Sequence, residues 1–354
     1  MDKEKKKFTA ALLRWNRDSN TREMPWKGEK DPYLIWLSEI ILQQTRVEQG
    51  LPYFLNFKKQ YPTVKHLALA PGDDVMRLWQ GLGYYSRARN LHETAKNIYH
   101  NYKGRFPEKA EELKKLKGIG DYTAAAIASF AFGEKKAVVD GNVIRVLARV
   151  FGIETPFDTT AGKKQFAALA QELIDDKEPA AYNQAIMDFG GTVCLPQNPQ
   201  CSTCPLSLIC VAYNNNIINA LPVKDKKPTV RQRYFNYLLI SNGREVVIRK
   251  RDGKDIWGGL YELPLIETEK PVKKDFRKLA GGFITGNNFE IKGYSKEFKQ
   301  LLTHQKIHFR FIEIELQNLK AVNLPGSIIV KAGKLVQYAF PKTVHLYLSQ
   351  KFLL

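Results

Sequence analysis

The chain has 354 residues, enough for two or three ordinary domains, and carries 55 Lys and Arg against 36 Asp and Glu, a formal charge of +19. An excess of that size points to a polyanionic partner, with nucleic acid the leading candidate, and both parts of the chain share it: residues from 231 onward hold 22 Lys/Arg against 11 Asp/Glu. No run approaches the roughly 18 apolar residues of a membrane-spanning helix, the start Met1–Lys7 is charged with no apolar segment behind it, and all four cysteines lie between Cys194 and Cys210; this argues against a disulfide framework and for a soluble cytoplasmic protein, nucleoid-associated if bacterial.

From Phe8 to about Tyr213 apolar residues recur at three- and four-residue spacing between Pro and Gly breaks, so this part reads as all-α. Early in it, Asp31-Pro32 supplies a cap and a first-turn proline for a helix that carries Glu39 beside Ile35, Trp36 and Leu42, its i−4, i−3 and i+3 neighbours. A carboxyl on such a face should hold its proton more tightly than in water, although on these residues alone a solvated helix glutamate is the plainer reading. Pro107–Leu116 reads as a helix, followed by Lys117-Gly118-Ile119-Gly120 and a second helix from Asp121. The glycines permit a tight turn whose free N–H groups at a helix N-terminus would hold a phosphate, although glycines used only for packing explain the same pattern equally well. Val138-Val139-Asp140-Gly141-Asn142 then precedes another helix, with Asp140 placed as its N-cap. Cys194, Cys201, Cys204 and Cys210 form C-x6-C-x2-C-x5-C, four soft ligands in one loop for zinc or a [4Fe–4S] cluster. Zinc sites usually pair two short knuckles, so the spacing favours iron–sulfur. An Asn-rich tract and a charged, proline-containing stretch over 214–230 read as a linker. Beyond it, Tyr234–Ile240, the turn Ser241-Asn242-Gly243 and Val246–Arg249 read as a hairpin, and His308–Leu316 as a further strand, giving an α+β domain over 231–354.

Taken together, these motifs resemble the endonuclease III and MutY superfamily of DNA glycosylases. The cysteine spacing matches that superfamily's cluster loop, and the hairpin followed by Asp140 matches its helix-hairpin-helix signature. The resemblance implies a multidomain protein. Its all-α core over 1–213 would have a helix-hairpin-helix subdomain at about 30–135 and a cluster subdomain at about 1–29 and 136–213. A [4Fe–4S] cluster would sit on Cys194, Cys201, Cys204 and Cys210, and DNA would be held at Gly118 and Gly120. In the lyase branch a catalytic lysine lies two positions beyond the second hairpin glycine; here that position is Tyr122. Leu37-Ser38-Glu39-Ile40-Ile41-Leu42-Gln43-Gln44-Thr45-Arg46-Val47 closely resembles the MutY adenine glycosylase motif, which implies that Glu39 is the catalytic acid, that Asp140 stabilises an oxocarbenium-like sugar, and that Tyr122 and Asn142 assist.

An enzyme acting on a stacked base must flip it into a pocket and fill the gap. The resemblance implies an adenine pocket with Arg22, Trp26, Leu42 and Gln184, although Trp26 reads equally well as ordinary core. It also implies contacts from Gln44, Thr45, Leu82 and Tyr84 to the opposing strand and an oxidised guanine, with Leu82 and Tyr84 as wedges. Trp257-Gly258-Gly259-Leu260-Tyr261-Glu262-Leu263-Pro264 is similar to the MutY C-terminal domain, which has the Nudix fold. The R-E-x-x-E-E cluster of Nudix hydrolases is absent, so this domain should recognise rather than hydrolyse. Leu302-Thr303-His304 aligns with the Phe-Ser-His loop that reads 8-oxoguanine, making Thr303 and His304 lesion contacts. The chain departs from the pattern at Lys117, where proline is common, at Leu302 and Thr303, and in a cluster loop without Lys or Arg between Cys194 and Cys210. The expected activity is that of a monomer hydrolysing adenine mispaired with 8-oxoguanine or guanine in double-stranded DNA, leaving an abasic site. The alternatives are a bifunctional glycosylase/lyase and a metal-stapled DNA-binding protein without catalysis.

Overall fold

The computed structural model describes residues 2–225, 230–253, 255–272, 276–285 and 289–353. The chain folds as two compact units, one of residues 1–69 with 93–226 and the other of residues 70–92 with 227–354. The second unit therefore includes a segment of the helical half that the sequence reading assigned wholly to the first.

In chain order the helices up to residue 214 are α1 (Asp2–Asp18), α2 (Pro32–Leu42), α3 (Val47–Gln60), α4 (Val64–Leu69), α5 (Gly72–Leu78), α6 (Ser86–Asn101), α7 (Ala110–Leu113), α8 (Asp121–Phe132), α9 (Gly141–Phe151), α10 (Thr160–Leu173), α11 (Pro179–Thr192) and α12 (Val211–Asn214). The Asp31 carboxylate accepts from the Tyr33 N–H at 2.9 Å and starts α2, whose residues Tyr33–Ile41 are all buried. A helix apolar all round belongs in the centre of its unit, and a lone carboxyl on it is thereby desolvated. Another core joins α1, α9, α10 and α11 through Phe8, Leu12, Val146, Leu147, Phe166 and Phe189.

Two local expectations differ from the structure. The helix expected over Pro107–Leu116 is only α7, Ala110–Leu113; its start is set by Glu134, whose carboxylate accepts from the Ala110 N–H at 2.8 Å, a contact invisible to local sequence signals. Residues 214–225, read as linker, are packed on the helical unit. Leu221 is 3% exposed, its carbonyl accepts from Arg149 Nε at 3.2 Å, and the Val223 carbonyl accepts from the Phe157 N–H at 3.1 Å. The remainder of that linker, 226–229, lies outside the described residues.

The second unit is built on a mixed sheet of β1 (Arg231–Ser241), β2 (Glu245–Lys250), β3 (Tyr261–Glu262), β4 (Leu265–Thr268), β5 (Glu290–Tyr294), β6 (Phe298–Leu301), β7 (Gln305–Glu315) and β8 (Ser327–Lys331), with α13 (Phe276–Gly281) and α14 (Lys342–Phe352). β1 and β7 run parallel from Arg231↔Gln305 to Ser241↔Glu315. The expected hairpin turn is present, but β1 meets β2 only at Ser241↔Val246, because β4 takes the rest of that edge through Tyr234–Tyr237. Phe235–Ile240 are buried in succession, as a central strand covered on both faces requires. Leu238 and Ile240 pack with Phe276 and Ala280 of α13 on one face, while Phe235 and Tyr237 join Phe309 and Phe311 on the other, where Phe311 stacks on Tyr347 of α14 at 3.9 Å.

Candidate active site

A cavity of about 840 Å³ lies in the helical unit, walled by α2, α8, the start of α9, α11 and the irregular segment between α1 and α2. Glu39, Tyr122, Asp140 and Asn142 all line it, as do Arg22, Trp26, Leu42, Gln184, Gln44, Thr45 and Gly120. Glu39 is 9% exposed; burial pushes its pKa up to about 7, the Tyr122 hydroxyl pulls it down, and the charge of Asp140 adds to the rise. The same hydroxyl donates to Met187 Sδ at 3.3 Å, so Tyr122 bridges the carboxyl and the far wall.

Asp140 is the N-cap of α9: its Oδ1 accepts from the Val143 N–H at 2.8 Å and its Oδ2 from Asn142 Nδ2 at 2.9 Å. Burial raises its pKa, whereas the Val143 and Asn142 hydrogen bonds and the Arg145 charge oppose the rise. A helix terminus alone suggests a carboxylate held ionised; the structure adds a larger opposing effect, the loss of water. Asn142 is itself fixed, its Oδ1 accepting from Arg145 Nη2 at 2.8 Å, while Arg145 donates through Nε to the Cys194 carbonyl at 2.7 Å. Two carboxyls thus share one dry cavity. Asp140 has the lower intrinsic pKa and more donors, so it takes the charge and Glu39 keeps the proton.

The hairpin follows the sequence expectation in its turn. Gly118 has φ of +78°, which a side chain would strain, and Gly120 precedes α8, whose N-terminus no side chain caps. Thr94 Oγ1 donates to the Lys117 carbonyl at 2.7 Å and buttresses the turn, and Lys117 pairs with Glu93 at 2.6 Å.

Sequence reasoning missed most of the contribution of α11. Gln184, Met187 and Asp188, at helical three- and four-residue spacing, all line the cavity. Asp188 is fully buried, accepts from Arg22 Nη1 at 3.0 Å and Asn20 Nδ2 at 2.9 Å, and forms an ion pair with Lys27 Nζ at 3.2 Å. The signal was an aspartate in the otherwise uncharged run Ala185-Ile186-Met187-Asp188-Phe189-Gly190-Gly191. Gly191 leaves room for the guanidinium, since a Cβ there would come within 2.8 Å of Arg22 Nη1. Trp26 lines the cavity and packs edge-on against Phe54 at 5.4 Å.

Residues 37–175 match the model of the HhH-GPD superfamily base excision DNA repair proteins, and residues 236–350 match that of the NUDIX domain. The adenine DNA glycosylase of Buchnera aphidicola subsp. Baizongia pistaciae is 33% identical, over 88% of this chain and 87% of its own. This chain belongs to the adenine DNA glycosylase family. It is a base-excision-repair glycosylase that acts on adenine in DNA, with a helix-hairpin-helix core and a Nudix-like C-terminal domain. The human adenine DNA glycosylase is 43% identical over 58% of this chain and 39% of its own. Among solved structures, a thermostable thymine-DNA glycosylase aligns with a TM-score of 0.56 at 30% identity, covering 60% of this chain and 98% of its own. An endonuclease III in a non-covalent DNA complex aligns with a TM-score of 0.52 at 21% identity, covering 61% and 98%, and has the same fold in its helical part.

In the second unit of the glycosylase, Tyr84 is 47% exposed with φ of +46°, and its hydroxyl lies 2.7 Å from Thr303 Oγ1. Leu82 is 5% exposed, so of the two residues read as wedges only Tyr84 protrudes. Thr303 and His304 are exposed at the turn between β6 and β7. Asp255, Glu262 and Glu267 are occupied by Arg233, Arg249 and Arg251.

The four thiols of the Cys194–Cys210 loop are partly buried and form no disulfide. Cys194 Sγ accepts from Arg149 Nη1 at 3.5 Å and Cys204 Sγ from the Leu206 N–H at 3.4 Å. Burial, with the neighbouring sulfurs adding to it, raises the pKa of Cys201, Cys204 and Cys210. Among the described residues no group of three or more His, Cys, Asp or Glu is arranged to hold a metal ion, and no helix is long and apolar enough to cross a membrane.

Proposed function

We propose that this glycosylase acts as a cytoplasmic monomer on double-stranded DNA, hydrolysing adenine mispaired with 8-oxoguanine or guanine and leaving an abasic site with the strand intact. The observation that carries the reading is the pair Glu39 and Asp140 in one cavity, with the pKa of Glu39 raised to about 7. Adenine leaves poorly as an anion. Glu39 would donate its proton to N7, the bond from N9 to C1′ would break with its electrons going to the base, and neutral adenine would depart. Ionised Asp140 would oppose the positive charge developing on the sugar, with Asn142 Nδ2 holding the carboxylate in place, and water would add to C1′ and give up a proton to the Glu39 carboxylate, restoring its acid form. Tyr122 stands where the lyase branch has its lysine, so no amine is placed there to form a Schiff base and cut the strand.

Arg22, Trp26, Leu42 and Gln184 would contact the flipped adenine, and Gln44, Thr45, Gly118 and Gly120 the DNA backbone and opposing strand. Tyr84, Thr303 and His304 would read the lesion; the Tyr84–Thr303 hydrogen bond supports a joint role, and Leu82, two residues before Tyr84, is buried. Cys194, Cys201, Cys204 and Cys210 would hold a [4Fe–4S] cluster. Their chemistry fits it: four soft donors from one loop, two with N–H groups directed at sulfur. Such a cluster would staple that loop against α9.

The test is single-turnover cleavage of duplexes with adenine opposite 8-oxoguanine, guanine or thymine, comparing the wild type with Glu39→Gln before and after alkali. Adenine release fastest opposite 8-oxoguanine, breaks only after alkali, and a loss of at least about a hundredfold in Glu39→Gln are expected. Strand breaks without alkali would overturn the hydrolytic reading.

A further inference from the structure

We propose that Asp188 is a positioning residue for base recognition, a buried carboxylate that fixes Arg22 and Lys27 in the pocket wall so that their remaining N–H groups meet ring nitrogens of the flipped base. The inference rests on the reading of the cavity as the adenine pocket.

Asp188 takes no part in the hydrolysis described above, yet it is fully buried, accepts from Arg22 and Asn20 and is ion-paired with Lys27. All three partners come from residues 20–27, a stretch without helix or strand. An irregular segment gains no order from a backbone ladder, and long cationic side chains at a pocket mouth would otherwise sample many rotamers. The anchor on α11 removes that freedom. The segment is tightened further by Lys27 Nζ donating to the Arg22 carbonyl at 2.9 Å and by the Arg22 N–H donating to Asn20 Oδ1 at 3.1 Å.

Charge balance gives the wall its character. Asp188 is a single carboxylate set against two cations and does not neutralise both, and Arg22 and Lys27 line the cavity with side chains 29% and 30% exposed. A guanidinium has five N–H groups and an ammonium three, more than Asp188 and the Arg22 carbonyl consume. The spare N–H groups of Arg22 and Lys27 suit a heterocycle whose six-membered ring presents unprotonated nitrogens. Adenine offers N1 and N3 as acceptors, whereas guanine presents an N1–H donor, so the wall favours adenine over guanine as the excised base.

The experiment measures single-turnover excision from duplexes carrying adenine, 1-deazaadenine or 3-deazaadenine opposite 8-oxoguanine, with wild type, Asp188→Asn, Lys27→Gln and Glu39→Gln. A deaza base alters the intrinsic lability of the glycosidic bond equally for every variant, so the quantity read is the adenine-to-deaza rate ratio. Asp188→Asn is expected to shrink that ratio about tenfold for at least one analogue, and Lys27→Gln, on a partly exposed side chain that leaves the Asp188–Arg22 pair in place, to shrink the same ratio. Ratios equal to wild type in both variants, with all bases slowed alike, overturn the proposal, because loosened packing slows every base equally. Should Asp188→Asn not fold, the Lys27→Gln ratio alone decides. Glu39→Gln separates the two failures: if it still excises adenine, the underlying reading of the site falls, whereas its inactivity with unchanged ratios removes only the role of Asp188.

Discussion

Glu39 shows how the surroundings of one residue change its chemistry. An exposed glutamate at neutral pH holds almost no proton, but burial on α2 beside Asp140 pushes this one up to about 7. The proposed reaction needs Glu39 neutral and Asp140 ionised, and the sign of its pH dependence follows. Above pH 7 the acid form of Glu39 is lost, and the single-turnover rate should fall about tenfold per pH unit. Toward low pH the rate should fall as Asp140 takes up its proton, and this limb should lie above the usual aspartate range because burial raises that pKa as well. A rate profile between pH 5 and 9 on a duplex with adenine opposite 8-oxoguanine checks both limbs; a rate still rising beyond pH 8 would remove Glu39 as the acid.

Helix α9 shows how an element joins the proposed catalytic geometry to stability. Its N-cap is Asp140, its first turn contains Asn142, and Arg145 ties Asn142 to the Cys194 carbonyl. Asp140 therefore serves the helix and, as proposed, the sugar, and the two roles separate in Asp140→Asn. Asparagine caps helices about as well as aspartate, so stability should change by under about 1 kcal/mol in urea unfolding. It carries no charge, however, and excision should fall by roughly a hundred- to a thousandfold, the loss typical when a stabilising group is withdrawn from a charged transition state. Equal activity in both proteins would reduce Asp140 to a cap. The helix starts that carry these proposed catalytic residues were legible in the sequence because their signals are local, Asp31-Pro32 for α2 with Glu39 and Asp140-Gly141-Asn142 for α9, whereas the roles themselves came from the resemblance to the family. The remainder was not, because its causes are distant in the chain. Glu134 caps α7, β4 rather than β2 pairs with Tyr234–Tyr237 of β1, and the partners of Asp188 lie more than 160 residues before it. A two- or three-residue pattern carries no information about such partners.

At the scale of the whole molecule, charge is the property read most directly from sequence, and it has a measurable consequence. The +19 is spread over both parts of the chain, whereas the cysteine loop between Cys194 and Cys210 contains no Lys or Arg. Duplex binding should therefore draw its electrostatic contribution from the hairpin region, where Lys114, Lys115 and Lys117 precede Gly118 and Gly120, and from the basic C-terminal part, with little from the cysteine loop. A protein that neutralises roughly 6–10 phosphates releases a similar number of counterions, so the logarithm of the association constant should fall with the logarithm of salt at a slope of about −5 to −9. Between 50 and 200 mM salt the loss should reach roughly 10³- to 10⁵-fold, measurable by fluorescence anisotropy with the catalytically silent Glu39→Gln protein. Lys117 gives the finer check. Its ammonium is paired with Glu93 at 2.6 Å in the free protein, so Lys117→Gln should shallow the slope by at most about one unit, and by less if the pair persists on DNA. A slope near zero for the intact chain would mean that this charge serves something other than the duplex.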